Sequence, residues 1–325
     1  CQAEAVTLLP TPAPGREAAE AFVADHLGHL VADPVAGSPA FAGGQQAAER
    51  ALARFDVAGY ATRRDQVYPV GARGASRLSP YLRHGLIHLS EAWDHVAGGP
   101  EGDVAKFRDE LLWQEYARHW YSAHGTATRR GVRRELPPAS DADATEATWD
   151  RSMRCVAESL DELETDGWLV NQARMWLASH WSVRRGRAWL EGEDLFFTHL
   201  LDGSRAANRL GWQWTTGVGS SKSYGFSRWQ VERRAPGYCA ACALVHDCPI
   251  EEWPPDRSDV GTPRAPARAS EPGPLEPRSH RRPRLVWLTA ESLGARDPAA
   301  STHPDLPVVF VFDEPLLAGL RLSSK

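Results

Sequence analysis

Four of the five cysteines have a spacing that could hold a metal. Cys239, Cys242 and Cys248 form a C-x2-C-x5-C pattern, and Cys248 precedes a proline, an order common in iron–sulfur binding runs. Cys155 lies upstream and could supply a fourth thiolate. We predict that these four cysteines bind a 4Fe-4S cluster. A structural zinc site with the same ligands is the alternative, and four unliganded thiols are a third interpretation.

Tryptophan is unusually abundant, with 13 residues against only 2 methionines. An indole brings a large flat surface, but its N–H needs a partner when buried. Such an excess favours stacking on a planar ligand or on bases, or electron transfer. Most of these residues are nevertheless expected to pack a helical core.

The charge balance limits how the chain can bind nucleic acid. The net charge is −5 and the isoelectric point is near 6.2, so attraction to phosphate needs a local basic face. Arg184, Arg185 and Arg187 could form one, although a solvated helix surface explains them equally well. No apolar run approaches the roughly 20 residues that span a bilayer, and no signal-peptide pattern is visible. We expect a cytoplasmic monomer.

The pattern along the chain is mostly helical. Helical spacing recurs at Leu111, Leu112, Tyr116 and Trp120, and again at Met153, Val156, Leu160 and Leu163. The segment Trp168–Trp181 also reads as a helix. We predict an N-terminal helical extension at 1–45, a helical domain at 46–253 and a linker rich in Pro and Arg at 254–283. Residues 284–325 then hold two short runs that read as buried parallel strands.

Four motifs in the helical part resemble the cryptochrome/photolyase family. They are residues 76–85 (SRLSPYLRHG), 110–116 (ELLWQEY), 171–175 (NQARM) and 202–214 (DGSRAANRLGWQW). Their order is that of the family, and they lie within roughly residues 50–235. The resemblance implies a mostly α fold, the helical FAD-binding domain of photolyases. Residues 284–325 resemble the opening of the family's α/β, Rossmann-like antenna domain. That domain would be incomplete and placed last, so no antenna chromophore is expected to bind.

The resemblance also implies which side chains hold FAD. Ser76, Arg77 and Ser79 offer hydroxyls and a guanidinium fork that suit a diphosphate, although the two serines could instead cap a helix. Arg174 and Asp202 resemble a buried ion pair beside the isoalloxazine ring. The predicted FAD-binding residues are Tyr60, Ser76, Arg77, Leu78, Ser79, Arg174, Asp202, Ser204 and Asn208, with Asn208 facing flavin N5. Relatives often carry an acid where this chain has Ser204, which weakens that assignment.

Five further positions match the wall of the family's lesion cavity: Glu110, Trp113, Asn171, Met175 and Trp214. The two indoles offer flat surfaces for a flipped-out dimer, and Glu110 could bond to a base edge. Relatives that repair (6-4) photoproducts usually carry His where Asn171 and Met175 stand. The absence of these histidines favours cyclobutane pyrimidine dimers in UV-damaged DNA as the substrate.

Two tryptophans match steps of the family's electron-transfer chain, Trp212 and Trp189. The surface step has no matching tryptophan, and Trp181, Trp176 and Trp149 are candidates for it. Cys155, with the three later cysteines, resembles the ligand set of iron–sulfur bacterial photolyases. The implied function is light-driven DNA repair by a photolyase-like lyase. A blue-light photoreceptor without repair activity is the alternative, and a light-independent flavin or iron–sulfur scaffold is a weaker one.

Overall fold

The chain folds mainly as helices, as its sequence pattern predicts. The computed structural model describes residues 8–136, 149–254, 262–263 and 282–325. The α-helices are α1 (Arg16–Leu27), α2 (Gln45–Arg54), α3 (Tyr60–Arg63), α4 (Ser79–Arg83), α5 (Leu89–His95), α6 (Glu101–His124), α7 (Arg154–Asp166), α8 (Asn171–Ala178), α9 (Trp189–His199), α10 (Arg205–Thr216), α11 (Arg228–Arg234), α12 (Pro298–Thr302) and α13 (Glu314–Leu320). The strands are β1 (Arg134–Glu135), β2 (Thr262–Pro263), β3 (Val286–Leu288) and β4 (Val308–Phe310).

The predicted helical periodicity is clearest in α7. Met153 precedes the helix, and Val156, Leu160 and Leu163 lie on it; all four side chains are buried. The helix ends at Gly167, which adopts a left-handed conformation with φ of 69° that only glycine adopts readily. One amphipathic face therefore anchors α7 to the core.

The long helix α6 buries a different face from the one its apolar spacing suggests. Val104, Phe107 and Leu111 are buried, whereas Leu112 and Tyr116 are more than half exposed. The exposed side chains are large and apolar or aromatic, so they are available for contacts with another molecule.

Four helices form the centre of the domain. The helix α10 packs against α6, α8 and α9, and α8 passes directly into a π-helical turn at Ser179–Arg184. Single π-turns of this kind are frequent at functional sites. The predicted helix Trp168–Trp181 thus begins later, at Asn171, because residues 168–170 form the extended entry to it.

The N-terminal extension packs onto the helical domain. Arg16 donates to the carbonyl oxygens of Ser38 and Phe41 at 2.6 and 3.0 Å. Phe41 is buried, and its ring lies 6.3 Å from that of Tyr81 and 6.1 Å from that of Trp168. The end of the extension therefore belongs to the same hydrophobic core as the motif at residues 76–85.

The C-terminal segment forms the parallel strand pair that its sequence predicts. In the register of β3 and β4, Val286 pairs with Val308 and Leu288 with Phe310. The prediction that these strands are buried is wrong: Val286 is buried, but Trp287 is 65% exposed and Val308 54%. Parallel strands are buried when crossover helices cover both faces, and the connection here contributes only the five-residue helix α12.

Several contacts hold this C-terminal segment against the helical domain, two of them at the end of the motif at residues 76–85. A Cβ added at Gly294 would lie 2.0 Å from the carbonyl oxygen of Gly85, so the two backbones meet directly. Glu291 bonds to Arg83 at 2.7 Å. Most of the predicted linker lies outside the described residues; within it, β2 pairs antiparallel with β1.

In the described residues, no helix is both long and apolar enough to cross a membrane.

Candidate functional site

Hydrogen bonds join three of the four motif-bearing segments into one site. The indole N–H of Trp168 donates to Ser79 Oγ at 3.0 Å, and the amide of Leu201 donates to the Gly167 carbonyl at 2.8 Å. Arg83 Nε donates to the Gly203 carbonyl at 2.7 Å. The start of α4, the entry to α8 and the loop before α10 are therefore neighbours, although they are far apart in sequence.

Arg174 and Asp202 form the ion pair that the sequence predicts. Two parallel bonds, Nη1 to Oδ1 at 3.0 Å and Nη2 to Oδ2 at 2.7 Å, join them. The Asp202 side chain is 5% exposed and that of Arg174 is 23% exposed. Arg174 Nε also donates to the Leu169 carbonyl, so the guanidinium is fixed in position. A bidentate pair of this kind sets the orientation of both groups as well as their charge balance.

The side-chain amide of Asn208 is oriented by Glu193. Both of its N–H groups are directed at oxygens of that residue, the carbonyl at 3.0 Å and Oε1 at 3.1 Å. Glu193 is fully buried and is paired with Arg205 at 2.7 Å and Arg209 at 3.4 Å. Turning the amide over would place its oxygen against two acceptors, so the observed orientation is the favoured one. Asn208 Oδ1 is left to accept a bond from another group.

The predicted diphosphate loop is well packed. Leu78 is fully buried, and Ser76 Oγ accepts a long 3.4 Å bond from the Leu78 amide. Arg77 has φ of +57°, an unusual conformation for a residue with a side chain. Its guanidinium lies 4.7 Å from the Phe41 ring centroid and 5.1 Å from that of Trp168. Strain at one such position is typical of ligand-binding segments.

Ser204 caps a helix. Its hydroxyl accepts from the amides of Ala206 at 3.2 Å and Ala207 at 3.5 Å, at the N-terminus of α10. An Asp at this position would serve as a cap equally well. The capping role explains how Ser can stand where relatives often carry an acid.

Tyr60 lies in the core beside Glu110. Its ring is 5.2 Å from that of Phe107, and burial, followed by the charge of Glu110, raises the pKa of its hydroxyl. The carboxylate of Glu110 bonds to Arg64 at 3.2 Å and to Lys106 at 2.9 Å. Two cations therefore surround the predicted base-edge acceptor.

The predicted cavity wall is open to solvent. Trp113 on α6 is 56% exposed and Trp214 on α10 is 49% exposed. Asn171 is exposed and Met175 half-buried at the start of α8. The Trp214 ring lies 5.7 Å from that of Tyr224, whose hydroxyl accepts from the side chain of Gln172 on α8 at 2.7 Å. Trp214 is thus tied to the beginning of α8, beside Asn171.

The buried tryptophans form a continuous path from α10. A Cβ added at Gly192 would lie 2.2 Å from the Trp212 ring and 3.0 Å from Trp181, so both indoles approach this glycine. Trp181 and Trp149 have centroids 4.7 Å apart, and Trp149 is half-buried. Trp189, at the start of the same helix as Gly192, is buried as well.

The arginine cluster of residues 184–187 is not a free basic face. Arg184 donates to the carbonyl oxygens of Phe226, Pro249 and Glu252. Arg187 lies 4.9 Å over the Trp181 ring. These arginines serve mainly to join segments of the domain, so DNA binding is not needed to explain why they are clustered.

All four predicted cysteine ligands line one pocket. It lies between the start of α7 and the segment after α11, and its other walls include Met153, Val231 and Ile250. Burial, followed by the three other cysteines, raises the pKa of Cys155 to about 12. Burial likewise raises that of Cys239 to about 11.

Four thiolates in such a place need a compensating positive charge. The amide of Arg154 donates to Cys242 Sγ at 3.4 Å, as amides commonly do around cluster sulfurs. Four cysteines on one pocket are the donor set that a 4Fe-4S cluster requires. In the described part of the chain, however, no group of three or more His, Cys, Asp or Glu side chains is arranged to hold a metal ion.

Two contributors to the site were not predicted from the sequence. Glu193, which orients Asn208, is one of three acidic residues in α9, and its sequence gives no signal that separates it from Glu191 and Asp194. Phe41, which supports Arg77, lies in a segment of the extension without a recognisable motif.

Comparisons with known proteins agree with this geometry. Residues 107–234 match the family model for the FAD binding domain of DNA photolyase. Over 189 residues the chain is 28% identical to a deoxyribodipyrimidine photo-lyase from Synechococcus, covering 54% of this chain and 37% of that protein. Over 176 residues it is 32% identical to the enzyme of the same name from Thermus thermophilus, covering 52% and 41%.

A solved structure shows the same fold. The archaeal photolyase of Sulfolobus tokodaii, determined with two FAD molecules, superimposes with a TM-score of 0.53 at 25% identity, over 66% of this chain and 50% of that one. The chain spans about two fifths of the curated relatives that it matches. The matched region, residues 107–234, carries the Arg174–Asp202 pair and Asn208, and over it the chain is similar to the FAD binding domain of DNA photolyases.

Proposed function

We propose that this chain is the FAD-binding, DNA-repairing part of a photolyase that splits cyclobutane pyrimidine dimers with light. One observation carries the proposal: the same two helices hold the flavin-type residues and the cavity wall. The helix α8 carries Arg174 together with Asn171 and Met175, and α10 carries Asn208 together with Trp214. A flavin held by Arg174 and Asn208 would therefore lie close to a base held by the cavity wall.

Bound FAD, in its reduced state, supplies the light-driven electron that opens the dimer. Arg174 and Asp202 provide a fixed charge pair beside it. Asn208 has only its oxygen free, because Glu193 uses both of its amide N–H groups. Placed next to N5, that oxygen accepts a bond from a protonated nitrogen and so favours the reduced flavin over the oxidised form.

The surroundings of Glu110 hold its carboxylate in place. Arg64 and Lys106 bond to it and pair with Asp65 and Asp109 as well, so the carboxylate is oriented to accept a bond from a base N–H. Asn171 and Met175 offer no general acid, which fits cyclobutane dimers rather than lesions that need proton transfer.

A path of tryptophans would carry electrons from the surface to the flavin. Trp212, Trp181 and Trp149 lead from the interior of α10 to a half-buried indole. We infer that Trp181 is the middle step, because Trp212 and Trp181 both lie against Gly192; Trp189 is the alternative.

We also propose that Cys155, Cys239, Cys242 and Cys248 hold a 4Fe-4S cluster. Support comes from their shared pocket and the Cys248–Pro249 sequence. Iron and acid-labile sulfide analysis of anaerobically purified protein should find about four of each per chain. Zinc without iron would overturn the cluster assignment.

The function is tested by repair of a defined oligonucleotide that carries one cyclobutane dimer. Reduced, FAD-loaded protein should restore intact thymines under blue or near-UV light and not in the dark. The variant Trp214→Ala should lose most of this repair, whereas Trp287→Ala, a change at another exposed indole far along the chain, should retain it. Light-dependent flavin reduction without any repair would favour the photoreceptor alternative.

A further inference from the structure

Two more tryptophans lie exposed outside the cavity wall. Trp229 on α11 is 54% exposed, and Trp253, in the segment that follows the cysteines, is 53% exposed. Their ring centroids are 6.3 Å apart and their planes meet at 42°. We call these two residues the outer indole pair. Two large indoles left side by side in water are unusual for a surface without a partner.

The outer indole pair is continuous with the wall of the cavity. Trp214 contacts Tyr224, and the next residue, Gly225, meets Trp253. A Cβ at Gly225 would lie 2.4 Å from the Trp253 ring, so the indole rests directly on the glycine backbone. Only residues 224–225 separate the two aromatic surfaces.

Charge around the pair suits a phosphate chain. The Arg233 guanidinium lies 5.3 Å from the Trp229 ring centroid, and Lys222 is exposed in the loop between Trp214 and Tyr224. Within the described ranges, neither cation forms an ion pair with a carboxylate. Three acidic groups lie on this surface: Glu232 and Glu251 are both held by Arg228 at 2.8 Å, and Glu252 is exposed beside Trp253. The formal charges of the surface therefore balance, and Arg233 and Lys222 are the cations that can turn to a phosphate.

We propose that the outer indole pair is a stacking platform for unpaired bases of a single DNA strand that leaves the cavity. The inference rests on the proposed repair function, because the strand is taken to run from the lesion cavity to the platform. Binding to the platform itself needs no lesion. Every base has a π-face, so stacking on indoles tolerates any sequence, and a nearby arginine and lysine can follow the phosphates. This platform would extend the DNA footprint away from the dimer and favour single-stranded substrate.

Binding of an undamaged, fluorescently labelled single strand of about 12 nucleotides tests the platform directly. At fixed low salt, the double variant Trp229→Ala, Trp253→Ala should bind this strand at least about tenfold more weakly than the unchanged protein. The variant with Phe at both positions should retain most of the affinity, since it keeps the aromatic faces. Trp287→Ala, the control at an equally exposed indole, should bind normally.

A second strand separates this inference from the repair proposal. A dinucleotide dimer without flanking bases occupies only the cavity, so the Ala double variant should bind and repair it normally. Equal binding of the 12-nucleotide strand by the double variant and the unchanged protein would overturn the platform, as would absence of single-strand binding by the unchanged protein. Loss of dimer repair with retained, platform-dependent strand binding would overturn only the repair proposal. Flavin content and circular dichroism confirm that each variant is folded.

Discussion

Charged side chains in the interior are held in pairs, and their partners decide what each can do. Asp202 is nearly buried and receives two bonds from Arg174, which keeps the guanidinium from being an unpaired charge. Glu193 is fully buried and holds two arginines as well as Asn208. Removing one member of such a set lowers the stability of the fold by more than the intact set contributes to it, because the remaining charge stays buried.

Substitution of Asp202 should therefore destabilise the protein and empty the flavin site. The variant Asp202→Asn leaves Arg174, still 23% exposed, without its counter-charge, and we expect the free energy of unfolding to fall by about 1–3 kcal/mol. Urea unfolding and flavin content measure the two effects. Asp161→Asn, which breaks an exposed ion pair, should change stability by less than about 0.5 kcal/mol. Full flavin occupancy in Asp202→Asn would contradict the assigned role.

His180 should make the fold sensitive to mild acid. Burial, the largest effect, lowers the pKa of this histidine to about 4, from 6.5 in a solvated chain. Between these pH values the unfolded chain binds the proton more readily, so the stability that is present above pH 6.5 declines as the pH falls toward 4. The decline should reach at most about 3 kcal/mol.

The variant His180→Leu isolates that contribution. The difference in unfolding free energy between it and the unchanged protein should depend on pH over this window, while His119→Gln, a change at an exposed histidine, should show little dependence. A pH-independent difference for His180→Leu would show that the histidine is not buried as a neutral group.

At the scale of elements, α9 and the π-turn after α8 determine the electron path. Gly192 lets Trp212 and Trp181 approach from two sides, and Trp149 continues the path. We expect Trp181→Phe to lose most of the light-driven flavin reduction seen with an external thiol donor, because it interrupts the path from Trp212 to Trp149. Loss of the oxidised flavin's absorbance under blue light gives the rate.

Trp189→Phe is the matched control for this path. It replaces a buried indole of the same region, at the start of α9, and it should reduce flavin at close to the normal rate. Slow flavin reduction in Trp189→Phe, together with a normal rate in Trp181→Phe, would show that Trp189 is the middle step.

The elements show which expectations sequence patterns can support. The α7 face, the Arg174–Asp202 pair and the parallel direction of β3 and β4 were all predicted, because each rests on local spacing or a specific motif. Burial of β4 was predicted wrongly, since an apolar run does not reveal whether anything covers it. The role of Glu193 depends on a contact across 15 residues and two helices, which spacing cannot disclose.

At the scale of the whole molecule, the C-terminal segment is attached where the signature loop ends. Gly85 and Gly294 meet backbone to backbone, so Gly294→Ala should push the segment away from the helical domain. We expect faster proteolysis within residues 284–325. The free energy of unfolding should fall by about 1–3 kcal/mol, because the added methyl group overpacks this contact. Gly319→Ala, at a helical glycine whose added Cβ would meet nothing within 4 Å, should not increase cleavage.

The central claim is that the helical domain places a lesion within electron-transfer reach of its flavin. Quenching of the reduced flavin's fluorescence by DNA measures this directly. A strand that carries one cyclobutane dimer should quench the emission, and the same strand without the dimer should leave it nearly unchanged. Equal emission with the two strands, when both are bound, would contradict the account.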